Sequence, residues 1–136
     1  MKLPIVQVAN LIEQANFSWV DSDNIYTTNV TPDEDDSGKT TFIRIQDATS
    51  RLSDYANNFS FTLVAGVEVQ IFFSNKWSKL TKGKLSIFDA KVAVLNLFQR
   101  NNRKIQSPII PETTDPDTGQ KTATFYITKV LRMENN

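Results

Sequence analysis

The chain has 136 residues, 15 of them basic and 15 acidic, and contains no cysteine and no histidine. Those absences exclude thiolate nucleophiles, Cys/His zinc sites and any catalytic triad or proton relay built on imidazole. The length is that of one domain spanning 1–136, long enough to bury a core without a disulfide or metal staple.

Residues 4–15 carry Ile5, Val8, Ala9, Ile12 and Ala15 at three- and four-residue steps, which predicts a helix. Pro4 suits its first turn and Asn16 its stop. "NIYTTNV" at 24–30 is rich in β-branched and aromatic residues and reads as a strand. "TPDEDDSGK" follows with turn chemistry throughout, and "TTFIRIQ" at 40–46 reads as the next strand. "DATSRLSDYANN" at 47–58 is polar and irregular and is expected to be a loop. "FSFTLV" at 59–64 and "VEVQIFFS" at 67–74 alternate apolar and polar residues, with Ala65 and Gly66 as the expected hairpin turn between two strands.

"IFDAKVAVLNLFQR" at 87–100 predicts a second helix, with Ser86 as N-cap and Asp89 three residues on. Phe88, Val92, Leu95 and Phe98 form a stripe, and Ile87, Val94 and Leu97 widen it beyond an ordinary amphipathic face. "SPIIPETTDPDTGQK" at 107–121 reads as a loop or extended arm, and "TATFYITKVL" at 122–131 as a last strand with Ala123, Phe125 and Ile127 on one side. The expected fold is α+β: a mainly antiparallel sheet of four to five strands with two helices packed on it, in the order α-β-β-β-β-α-β. The segments 31–39 and 107–121 are expected to be exposed loops.

"SGKTTF" at 37–42 ends like a phosphate-binding loop, but Asp33 stands where the motif requires its first glycine. Three of the four residues between Asp33 and Gly38 are carboxylates, which would repel phosphate, and a strand follows in place of a helix N-terminus. A calcium loop fails too, because its twelfth position is Arg44 instead of a closing Glu. The carboxylates at Asp115 and Asp117 lie in turn chemistry, and Glu68 and Asp89 have structural explanations. The residues therefore point away from an enzyme, a metal site or a cofactor.

Charge is unevenly spread. Asp33, Glu34, Asp35 and Asp36 form an acidic block, whereas Lys76 to Lys104 holds eight basic residues and one acid, Asp89. Trp77 among Lys76, Lys79, Lys82 and Lys84 leaves a nucleic-acid or ligand-binding module as one reading, with the base stacked on the indole. A chain with opposed charge blocks also suits head-to-tail contacts. No apolar run approaches the roughly 20 residues needed to cross a bilayer, and Gln7, Asn10 and Glu13 interrupt the N-terminal segment, so a soluble protein of the cytoplasm is expected.

Three stretches, "LPIVQVANLIEQA", "VEVQIFFS" and above all "DPDTGQKTATFYITK", resemble the small tail-component family of siphophages of lactic acid bacteria and their prophages. The resemblance runs from Leu3 to Lys129 and leaves out the acidic stretch at 31–39. It implies a tail terminator: a small α+β subunit that assembles as a ring, typically a hexamer, on the last ring of the tail tube. Such a ring stops tube growth and meets the head connector protein. Its partners would be further copies of itself, the tail tube protein and the head connector protein, in the tail or neck of the virion after assembly in the host cytoplasm. DNA would meet it only through the ring lumen. A head-completion or neck connector subunit of the same virion is the alternative. On this reading Phe88, Leu97 and Phe98 of the second helix, with a sheet edge, are candidates for the subunit contact; burial in the core competes as the role of Phe88 and Phe98. Asp33, Glu34, Asp35, Asp36, Asp115 and Asp117 are candidates for contact with axial neighbours.

Overall fold

Helix α1 forms over Pro4–Ala15, as its periodicity predicts. Pro4 sits where a missing N–H costs nothing, and Asn16 ends the helix in the left-handed conformation at φ 52°. The computed structural model of the chain describes residues 3–27, 38–56 and 59–133, and leaves the side chains of 54–56 and 61 undescribed. After a single 3₁₀ turn at Ser22–Asn24 come the short strand β1 (Ile25–Tyr26) and two long strands, β2 (Phe42–Ala56) and β3 (Phe59–Phe73). Next are a one-turn helix α2 (Trp77–Leu80), helix α3 (Ile87–Arg100), short strands β4 (Lys104–Ile105) and β5 (Thr113–Thr114), and β6 (Lys121–Arg132).

The strands form one sheet in the order β1-β2-β3-β6-β4, with β5 also pairing β6. β1 runs parallel to β2 and the other pairs are antiparallel. The fold is thus α+β as expected, with a mixed sheet of six strands and three helices among the described residues in place of the four to five strands and two helices predicted.

Two differences reshape the molecule. The polar segment 47–58, expected to be a loop, is strand as far as Ala56, and Ala65–Gly66 lies in the middle of β3 instead of at a turn. The β2–β3 hairpin therefore turns between Ala56 and Phe59, and its strands are 15 residues each. Polarity misled because this end of the hairpin contributes no described residue to the core under the helices. Its residues are held by ladder hydrogen bonds, which need no apolar face. Gly66 has a different purpose. β2 bulges between Ala48 and Arg51, bringing the Thr49 carbonyl within 2.3 Å of where a Cβ on residue 66 would stand. Only glycine admits that approach, and its N–H donates to Ser50 Oγ at 3.0 Å. The strand expected over 24–30 shortens to Ile25–Tyr26, and 28–30 lie outside the described residues.

Alternation along the strands places the core on one face. Ile43 and Ile45 of β2, Val67, Val69, Ile71 and Phe73 of β3, and Ala123, Phe125 and Ile127 of β6 all point toward the helices. Val8, Ala9 and Ile12 of α1 and Ala90, Val94 and Phe98 of α3 close over them. At one end an aromatic cluster seals this layer: Trp77 meets Phe73 edge-on at 5.2 Å and Trp19 at 5.8 Å, and Phe17 stacks on Trp19 at 5.2 Å.

The opposite face has no helix over it among the described residues. There Phe42 and Phe72 stack at 4.4 Å, and Arg44 lies over the Phe72 ring at 5.5 Å. Arg44 donates to Gln70 Oε1, and Gln70 Nε2 donates to Thr124 Oγ1 at 3.5 Å, so a polar row crosses β2, β3 and β6.

Candidate functional site

Helix α3 starts as predicted, with Ser86 Oγ accepting the Asp89 N–H at 3.0 Å. Its buried face is Ala90, Lys91, Val94 and Phe98, which is not the predicted stripe. Phe88 and Phe98 are ten residues apart; at about 100° per residue they fall roughly 80° short of the same side. The three candidates therefore separate. Phe98 is fully buried against the sheet, so it is core and is withdrawn as a subunit-contact residue. Leu97 is half-buried and packed on the edge of the core. Phe88 stands 66 % exposed in the first turn and remains available to a neighbour.

Lys91, on the buried side of α3, reaches Glu112 Oε1 at 3.0 Å and lies 6.0 Å from the Phe125 ring. This ion pair ties the 107–121 segment to the helix. The hydrogen bond from Lys91 is the main cause holding the Glu112 carboxyl below its ordinary value. Between α3 and β4, Arg103 is buried and donates from Nη2 to Gln7 Oε1 at 3.2 Å, joining the C-terminal end of α3 to α1. Desolvation lowers the Arg103 pKa.

Of the axial candidates, Asp33, Glu34, Asp35 and Asp36 lie outside the described residues. Asp115 is half-buried and builds a turn: its Oδ1 accepts the Asp117 N–H at 2.8 Å, its N–H donates to the Gln120 carbonyl and its carbonyl accepts from Gly119. Asp117 is exposed at the tip of that turn.

The two segments expected to face axial neighbours meet each other. Gly38, at φ +83°, packs so closely on Thr118 that an added Cβ would lie 2.8 Å from the Thr118 Cβ. The buried Gln120 donates from Nε2 to the Thr40 carbonyl at 3.0 Å. Asn75 bridges both, its N–H donating to the Gly38 carbonyl at 2.8 Å and its Nδ2 to the Thr118 carbonyl at 2.9 Å. Thr41 Oγ1 accepts the Ser74 N–H at 2.9 Å. The glycine, lysine and threonines that look like a phosphate loop are the seam between two loop ends and the start of β2. A short echo in the sequence, "PDEDDSGKTTFIRI" against "PDTGQKTATFYI", marks these two loop-to-strand junctions.

Trp77 is also reassigned. It is buried, and its Nε1 donates to the Leu85 carbonyl at 2.8 Å, so it offers no open face for a base. Lys76, Lys79, Lys82 and Lys84 around it are exposed. Among the described residues no three carboxylates come together to hold a metal ion, and no helix is long and apolar enough to cross a membrane.

Sequence reasoning missed the arm. The ends of β2, β3 and β6 run on past the helices as a three-stranded ribbon. Leu52, Leu63 and Leu131 pair directly across it in one row. Leu52 is 47 % and Phe59 73 % exposed, and Val130 is 60 % exposed. The only trace in the sequence is apolar residues inside a polar stretch.

A family model described as a protein of unknown function, DUF806, matches residues 2–132. The match spans nearly the whole chain, which belongs to this family. No curated protein matches it.

Proposed function

We propose that this member of the DUF806 family is a structural virion protein, a siphophage tail terminator. Its copies form a ring, typically a hexamer in the family it resembles, that caps the tail tube, stops its polymerisation and joins it to the head connector. The resemblance carried by "DPDTGQKTATFYITK" supplies the identity of the assembly. The observation that supports a role as a subunit is the arm. A ribbon with a row of three leucines across it, and with Leu52 and Phe59 exposed, leaves apolar surface that the described residues do not cover. Two- and three-stranded ribbons gain independent stability by packing an apolar face on something.

The arm and the exposed Phe88 belong to opposite ends of the sheet. Phe88 follows the aromatic seal beside Phe73, whereas Leu52 lies in the far half of β2 and Phe59 at the start of β3. Different surfaces at opposite ends favour a heterologous contact, the kind that closes into rings. Beyond Arg44, the outer edge of β2 has no strand against it among the described residues, and a strand edge of this kind can add to the same contact.

Sedimentation of the purified chain, alone and with tail tubes, tests this. Self-association that Leu52→Asp with Phe59→Asp abolishes, without loss of secondary structure, is expected. A strict monomer in both conditions would count against a ring subunit.

A further inference from the structure

On the sheet face away from the helices, where the arm begins, lies a groove of about 400 Å³. Arg51, Lys104 and Lys129 line it, with Gln106, Thr128 and Val64, and no acidic residue is among its lining. Arg51 pairs Val64 across the strands and Lys104 pairs Thr128, so these side chains rise from the same face. Thr49 and Gln106 continue it into a hollow of about 250 Å³ floored by Gly66 and Tyr126. The glycine that the bulge demands therefore also keeps this hollow open.

We infer that this groove receives the acidic segment Asp33–Asp36 of a second copy of the chain. The inference rests on the ring reading and names the contact that would set the order of its subunits. The first reason is complementarity. Two cations, Arg51 and Lys104, rise on the groove's face with no acid in its lining, and the chain, neutral overall, places four consecutive acids in one segment. The second reason is reach. Gly38 is fixed beside Asn75, just past the end of β3, whereas Arg51 stands opposite Val64. From Phe73 back to Val64 is nine residues of strand, about 30 Å, and back to Gly66, level with Thr128 and so with Lys104, seven residues, about 23 Å. Asp36 is two residues from Gly38 and Asp33 five, so a fully extended chain carries them no more than about 7 and 18 Å. The block falls short of the groove of its own molecule, and the contact joins two molecules. Each copy gives a segment and offers a groove, which makes the contact heterologous.

The test uses the full chain and a synthetic peptide of residues 28–40. Fluorescence anisotropy is expected to show the labelled peptide binding the wild-type protein. Arg51→Glu with Lys104→Glu should weaken that binding by at least about tenfold, and 0.5 M salt should weaken it too. A peptide carrying Asp33→Asn, Glu34→Gln, Asp35→Asn and Asp36→Asn should not bind. Both groove residues are exposed, so the double variant is expected to keep its circular dichroism and melting temperature. Peptide affinity indifferent to the groove variant, or equal for the neutral peptide, overturns the inference. So does binding of duplex DNA, but not peptide, that the groove variant removes, since it assigns the groove to phosphates.

A second arm uses assembly. Protein with the groove reversed and protein with Asp33, Glu34, Asp35 and Asp36 all changed to Lys should each fail to self-associate and should assemble when mixed. Unimpaired assembly of either one alone overturns the contact. If mixing restores assembly but phage lacking the gene make tails of normal length, the terminator reading falls and the contact between copies stands.

Discussion

Replacing Phe98 and Phe88 separately by alanine tests the placement of helix α3. Phe98 is fully buried and Phe88 66 % exposed, so the same chemical change removes a core side chain in one case and a surface one in the other. Truncating a buried phenylalanine loses its transfer free energy and leaves a cavity, together about 3–5 kcal/mol. Single domains are stable by about 5–15 kcal/mol, so Phe98→Ala removes a large share of the total. At this chain length a loss of about 4 kcal/mol lowers Tm by roughly 12–20 °C. Phe88→Ala lies within about 0.5 kcal/mol of wild type, as surface substitutions do. Urea unfolding reports both, because Trp77 is buried beside Phe73 and Trp19 packs on both, so unfolding changes their emission. The reasoning is refuted if Phe98→Ala costs less than about 1 kcal/mol or if the two variants cost the same.

Three further outcomes follow from local geometry. Gly66→Ala forces its Cβ onto the Thr49 carbonyl and should cost about 1–3 kcal/mol in the same unfolding assay; a neutral effect would remove the bulge as the reason for the glycine. Ser86→Ala deletes the α3 N-cap and should cost about 1 kcal/mol by thermal melting, with Ser86→Asp close to wild type. The Glu112 carboxyl is held below its ordinary value of 4.5, so its contribution is present above that pH and lost as pH falls through the lower folded value. The pair is a third exposed on the glutamate side, so Glu112→Gln should cost less than about 1 kcal/mol at neutral pH. That difference from wild type should vanish in acid, and a difference that grew on acidification would reverse the assignment.

What the sequence made legible depended on whether local rules and packing agreed. Both long helices appear where their periodicity and caps place them, because Pro4, Asn16 and Ser86 act through neighbouring backbone groups. The core alternation of β3 and β6 was equally plain, since one face of each strand meets the helices. The arm was hidden for the converse reason. None of its described residues belongs to the core under the helices, so "DATSRLSDYANN" shows no buried face to read. Gly66 looks like a turn from sequence, and only the distant Thr49 carbonyl explains it. Phe98 and Phe88 seemed to share a stripe because each step of three or four residues is close to a whole turn, but over ten residues the drift sums to about 80°. The groove joins Arg51, Lys104 and Lys129 from three strands, and no spacing along the chain announces that meeting.

The terminator account is tested most directly by electron microscopy of particles made by a phage whose copy of this gene has been deleted. The account predicts tails of uncontrolled, mostly excessive length that fail to join heads, with normal tails restored by supplying the protein. Tails of normal length left unattached to heads would contradict it and point to a neck subunit instead.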